Sequence, residues 1–173
     1  MSNPMEQIKI HKITLNIGIG EVGQDVERAV TLLERLSGST AVRTKSGENA
    51  KGFGIREGLE IGAKTTLRGE DAKKLLPKLF DGMDYKLSID SFDKQGNFSF
   101  SVEEYINIPG IEYDPDIGMQ GFDVAVTLER PGFRLKRRQE NPKDIGKKHR
   151  ITPEEAAKFV ENEFGIEVEG VDK

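Results

Sequence analysis

From residue 8 to residue 17, IKIHKITLNI, apolar and polar side chains alternate. A period of two predicts a strand, with Ile13, Leu15 and Ile17 on one face and Lys12, Thr14 and Asn16 on the other. The alternation slips at His11–Lys12, which marks either a bulge or the true start of the strand. After the turn GIGEVGQ the period changes. Val26, Ala29, Val30, Leu33 and Leu36 recur at helical spacing, Asp25 and Glu27 occupy a first turn that favours acids, and Gly38 suits the C-terminal cap. Residues 40–44 predict a short strand. The next stretch, KSGENAKGFGIREG, has four glycines and no period, and reads as a long mobile loop or an open hairpin. Residues 61–68, IGAKTTLR, alternate again, with Lys64, Thr66 and Arg68 opposite Ile61, Ala63, Thr65 and Leu67. A short helix over EDAKKLLPKLF follows, which Pro77 is expected to end or kink because proline lacks a backbone donor.

YKLSIDSF and NFSFSVEEY flank DKQGN, the pattern of a hairpin with a glycine-containing turn. Residues 122–128 alternate through Phe122, Val124, Val126 and Leu128, which predicts another strand. Residues 130–150 carry prolines and glycines but no apolar period, so an irregular, helix-free segment is expected there. Thr152-Pro153-Glu154-Glu155 is a capping box with proline at the first helical position, and Ala156, Phe159, Val160 and Phe164 continue the helix to Gly165. No repeat or linker divides the chain. The expectation is a single α+β domain over residues 1–173, a mostly antiparallel sheet with helices packed on one face.

Composition narrows the chemistry. The chain of 173 residues has no cysteine, which excludes disulfides and thiolate metal sites. Its two histidines, His11 and His149, lie far apart and show no metal-ligand spacing. The N-terminus lacks the apolar core of a secretion signal and no run reaches membrane-spanning length, so a cytoplasmic protein without a membrane partner is expected. Neither a metal nor a cofactor is implied. The net charge of −4 conceals strong segregation: residues 130–150 hold nine basic and two acidic groups, while 81–129 hold two and eleven. Phosphate responds to charge within roughly 8–10 Å, so the acidic total does not exclude an RNA partner. It does suggest that the 81–129 region faces away from phosphate.

One motif points elsewhere. Gly18-Ile19-Gly20-Glu21-Val22-Gly23 fits G-x-G-x-x-G after a strand and before a helix, the local setting of a dinucleotide-binding turn. A dinucleotide-dependent enzyme is therefore the alternative reading. Against it, the downstream strands are half polar, as in an antiparallel sheet with one exposed face, and glycines also serve a plain tight turn. Acidic pairs such as Glu103–Glu104 and Asp114/Asp116 arise readily among 30 carboxylates and read as solvated surface. No catalytic constellation can be picked out.

The residues with RNA chemistry form two groups. If the first strand and the 61–68 strand are neighbours, Lys12, Thr14, Asn16, Lys64, Thr66 and Arg68 share one sheet face. Hydroxyls and amides there can meet 2′-OH groups and base edges, and cations can meet phosphates; a merely solvated face is the other reading. The second group is the arm RPGFRLKRRQENPKDIGKKHR, with Arg130, Arg134, Lys136, Arg137, Arg138, Lys143, Lys147, Lys148 and Arg150, to which His149 adds. Such dense like charge costs stability unless a counter-charge arrives, and arginine's planar fork suits phosphate. The rival counter-charge is an acidic protein surface, including the chain's own.

With these residues in view, the chain resembles the universal ribosomal protein L-five family in its archaeal form, almost end to end. The pieces that carry the resemblance are ITLNIGIGE, LSGSTAVRTKSGENAKGFGIREG, KTTLRGE, GNFSFSVEEYINIPGIEYDPDIGMQGFDV and RPGFRLKRRQENPKDIGKKHRITPEEA. The resemblance implies a non-catalytic place in the central protuberance of the large ribosomal subunit, holding 5S rRNA. It implies 5S contacts at Asn16 and Thr66. A third falls at Ser39, where the family has a glutamine; serine reaches less far and suits a water-mediated contact. It further implies that the loop at about 45–58, with Lys45, Lys51 and Arg56, reaches the P-site tRNA. Residues 130–150 would lie against large-subunit rRNA, and a bridge would form to the small-subunit head protein S-thirteen.

Overall fold

The N-terminal alternation produces strand β1, Lys9–Gly18, and the rest of the sheet is built around it. The structure, a computed structural model, describes residues 3–83 and 86–170. β1 pairs antiparallel on one side with β3 (Glu60–Arg68) and on the other with β6 (Phe122–Glu129). Strands β2 (Val42–Lys45) and β5 (Phe98–Val102) complete an antiparallel sheet in the order β2-β3-β1-β6-β5. The slip in the sequence pattern is a bulge, since the register with β6 shifts between Ile10 and Lys12.

Helices α1 (Gln24–Ser37) and α2 (Gly69–Asp81) pack against β1 and β3. Their apolar stripes, with Ala29, Leu32 and Leu33 from α1 and Leu76, Leu79 and Phe80 from α2, join Ile13, Leu15, Leu67, Val124 and Leu128 in one core. Each such large side chain contributes about 1.5–3 kcal/mol by leaving water. Gly38 ends α1 in the left-handed conformation, at φ 63°. Helix α4 (Pro153–Phe164) closes the far end, its Phe164 ring centroid 5.7 Å from that of Phe80.

Three expectations need correction. Of the two outcomes expected for Pro77, ending the helix is excluded, since Pro77 lies inside α2. The missing backbone donor costs about 3 kcal/mol, and burial of Leu75, Leu76, Leu79 and Phe80 on both sides offsets it. The hairpin around DKQGN survives only as a tight turn and a single bridge, Phe92 to Phe98. Tyr85 lies outside the described residues. Lys86–Ser88 form β4, which pairs in parallel with β7 (Glu167–Glu169) in a separate two-stranded sheet. The Ser88 hydroxyl accepts the Asp90 N–H and caps a 3-10 turn over Ile89–Ser91, which takes the chain out of strand geometry. Finally, the basic arm is not helix-free: Arg134–Arg137 make one α-turn, α3, and Lys147–His149 a 3-10 turn.

The capping box forms as its sequence requires. Thr152 Oγ1 accepts the Glu155 N–H at 3.3 Å and the Glu155 carboxylate accepts the Thr152 N–H at 3.1 Å. Replacing Thr152 by alanine is expected to cost about 1 kcal/mol, read as a lower urea midpoint at constant slope. An unchanged midpoint would remove the box from the account of stability.

Candidate nucleic-acid interface

Helix packing on one face of the sheet leaves the other to side chains from β1, β3 and β6. In the antiparallel register Lys12 faces Arg68, Thr14 faces Thr66 and Asn16 faces Lys64. The two polar sets are therefore adjacent rows of one surface. Lys64 and Arg68 are exposed; Lys12, Thr14, Asn16 and Thr66 are half-buried. None of these six side chains makes a hydrogen bond or ion pair within the described residues. Among the described residues, nothing satisfies their donors and acceptors.

β6 extends the surface and changes its sign. Asp123 stands beside Asn16, Ala125 beside Thr14 and Thr127 beside Lys12. Asp123 accepts a hydrogen bond from the Ser101 hydroxyl at 2.6 Å. So the acid-rich 81–129 region does not face wholly away from the cationic rows, as its composition suggested; Asp123 and Glu129 share the face with them. Anion binding is thereby biased toward the β1–β3 half.

Ser39 is placed differently. It follows α1, and its neighbour Thr40 accepts from the Thr65 hydroxyl at 3.3 Å on the helix-covered side. Ser39 is thus not part of the rows on the open face.

The loop between β2 and β3 is an open hairpin whose middle, Glu48–Phe53, is a 3-10 helix. Its base is locked by buried Ser46. The Ser46 hydroxyl donates to the Arg56 carbonyl at 2.6 Å and accepts the Leu59 N–H at 3.1 Å. Lys45, Lys51 and Arg56 are exposed around it. Between Gly52 and Gly54, Phe53 is 85% exposed, more than any other large apolar side chain in the described residues. Sequence reasoning passed over this residue. Its signal was an aromatic flanked by glycines among cations, a setting that suits stacking on a base.

The arm divides into cations turned inward and cations left free. Arg130 is buried, its guanidinium 2.9 Å from the Glu155 carboxylate and donating to the Arg150 carbonyl at 3.2 Å. It therefore does not belong to an exposed phosphate surface. Burial pushes the Glu155 carboxyl up, but the Thr152 N–H and Arg130 outweigh this and hold it below its ordinary range. Arg137 grips Glu129 with both ends of its fork, at 2.7 and 2.8 Å. His11 joins them, Nδ1 3.3 Å from Glu129 and Nε2 2.6 Å from Arg137. A neutral imidazole protonated on Nδ1 satisfies both contacts. Burial lowers the His11 pKa; Glu129 opposes this, while Arg137 and Arg68 reinforce it.

His149 also turns inward, its Nε2 2.9 Å from the Pro131 carbonyl and its ring against Phe133. Arg138 donates to the Asn141 carbonyl at 2.7 Å and Arg150 to the Ile145 carbonyl at 3.3 Å. Arg134, Lys136, Lys143, Lys147 and Lys148 are exposed, with no carboxylate partner among the described residues. Among the described residues no cluster of three or more His, Asp or Glu could hold a metal ion, and no helix is long and apolar enough to cross a membrane.

An open sheet face bearing hydroxyls, an amide and cations, beside a cationic arm stapled to the same sheet, is the make-up of a polynucleotide-binding structural protein. Comparison with known proteins makes this specific. Residues 3–56 match the family described as "Ribosomal protein L5", and residues 60–167 match the description of the C-terminus of the same ribosomal family. The chain belongs to the ribosomal protein L5 family. It is similar to "Large ribosomal subunit protein uL5" of Nanoarchaeum equitans, 45% identical over 97% of this chain and 99% of the relative. The proteins of the same name from Methanobrevibacter smithii (43% identical; 95% and 96% covered) and Cenarchaeum symbiosum (44%; 97% and 99%) are similar over the same extent.

The chain is thus a structural constituent of the large subunit of the cytoplasmic ribosome, associated with rRNA and other ribosomal proteins, and not an enzyme. The dinucleotide reading of GIGEVG falls with this. Both neighbours of β1 run antiparallel to it, so the parallel βαβ unit that the motif needs is absent from the sheet. Asp25 and Glu27 in the first turn of α1 would also repel a pyrophosphate.

Proposed function

We propose that this chain holds 5S rRNA in the central protuberance, with the β1–β3 rows as the contact surface. The single observation supporting this most strongly is the register that sets Asn16 against Lys64 and Thr14 against Thr66, with no side-chain partner for any of the four among the described residues. A carboxamide and two hydroxyls can read 2′-OH groups and base edges, while Lys12, Lys64 and Arg68 meet phosphates. The free cations of the arm would lie on large-subunit rRNA. The loop at 45–58, with Lys45, Lys51 and Arg56 around Phe53, would touch the elbow of P-site tRNA. A bridge to the small-subunit head protein S-thirteen rests on family resemblance alone.

The test is a gel-shift titration of 5S rRNA against an unrelated duplex at two salt concentrations. Asn16→Ala and Thr66→Val are each expected to weaken 5S binding about five- to tenfold, the loss of one hydrogen bond at a dry contact. Binding to the unrelated duplex should change less than about twofold, because phosphate contacts dominate it. Equal losses on both RNAs would rule out specific readout by these two side chains.

A further inference from the structure

Where the arm crosses the end of the open sheet face it borders a half-open cavity of about 280 Å³. Phe133 and Ile145 supply its apolar surface, with the Leu128 backbone at its edge. Its walls are held in place without a ligand. The Arg137–Glu129 fork fastens α3 to β6, and the Lys143 N–H donates to the Leu135 carbonyl at 3.1 Å. On the other side Asn97 fixes the 93–97 turn, accepting the Leu128 N–H at 3.2 Å and donating to Asp93 at 2.8 Å.

Four polar side chains lining this cavity have no partner among the described residues: the Gln95 carboxamide, the Thr127 hydroxyl, the Asp144 carboxylate and the Lys136 ammonium. Carboxylates in the wall argue against a plain phosphate cradle. An apolar wall with a few convergent donors and acceptors is the make-up of a small-molecule pocket, and this volume falls just short of the range of roughly 300–1,000 Å³ for such sites. It suits one planar ring system. Thr127 stands in register with Lys12, so the opening continues the row proposed to carry RNA.

Resting on that RNA-binding reading, we infer that this cavity takes a single unstacked nucleotide of ribosomal RNA whose base bears an exocyclic amino group. Phe133 and Ile145 flank the base. Thr127 and Gln95 meet its edge, Asp144 accepts from the amino group, and Lys136 with the free end of Arg150 faces the phosphate. Uracil has no amino group, so Asp144 can accept only from its N3–H, which sits between two carbonyls that repel the carboxylate.

The test uses the full chain, labelled for NMR, titrated at millimolar concentration with AMP, GMP, CMP, UMP, ribose 5-phosphate and inorganic phosphate. AMP, GMP and CMP are expected to move the Ile145 methyl and Thr127 amide resonances, with UMP about five- to tenfold weaker, the factor one hydrogen bond supplies. Ribose 5-phosphate and phosphate should leave those resonances in place. Asp144→Ala, at an exposed and unpartnered position, should bring UMP level with the others, and Thr127→Val should weaken all four nucleotides at unchanged Tm.

Equal shifts with ribose 5-phosphate, no shift with any nucleotide, or a preference over UMP that persists in Asp144→Ala would each overturn the inference. None of those outcomes alters the expected behaviour of Asn16→Ala and Thr66→Val on 5S rRNA. Conversely, a failure of the 5S contrast leaves the nucleotide titration readable.

Discussion

Replacing Arg134, Lys143, Lys147 and Lys148 together by glutamine is expected to weaken binding to large-subunit rRNA about a thousandfold near 0.1 M salt. Each cation that sits on a phosphate releases a condensed counterion, giving a slope of roughly −0.7 to −0.9 per contact in log affinity against log salt, so four contacts account for about three units. All four side chains are exposed, and none has a carboxylate partner among the described residues. Glutamine removes the charge and keeps a polar side chain at exposed positions, so unfolding curves should match those of the parent. The measurement is a salt series of binding isotherms. A slope that stays parallel to the parent's would mean that the arm does not lie on phosphate.

Arg130→Met is expected to have the opposite signature: a loss of about 2–3 kcal/mol in folding stability with the salt slope intact. Breaking a buried ion pair costs about 3–5 kcal/mol, and the figure is reduced because the Glu155 side chain is 44% exposed and can be rehydrated. Methionine keeps much of the packing volume but leaves the Arg150 carbonyl without its donor and Glu155 without its cation. Chemical denaturation and the same salt series read both quantities. Unchanged stability with a flatter slope would return Arg130 to the RNA surface.

These two predictions separate residues that look alike in the sequence. Arg130 and Arg134 are four positions apart in one cationic run, and nothing in their spacing tells them apart. Arg130 follows Leu128 and Glu129 at the end of β6, and α4 brings Glu155 to it from across the chain. The Arg137–His11 contact spans 126 positions and is equally invisible to local pattern. The hairpin around DKQGN failed for the same reason. Leu87 and Val168 are buried in a parallel pairing with a C-terminal strand, and a hairpin pattern cannot anticipate a partner so distant.

What the sequence determined by itself was whatever depends on period and local chemistry. Alternation set the faces of β1, β3 and β6, so Asn16 and Thr66 could be assigned to the polar side before any fold was known. Helical spacing set α1 and α4, the glycines and the capping box set their ends, and the motifs carried the family. Tertiary structure alone decided which of those faces became neighbours and which charges stayed free. Both outcomes depend on contacts between residues far apart in the chain, where closing the loop is offset only when many buried groups meet at once.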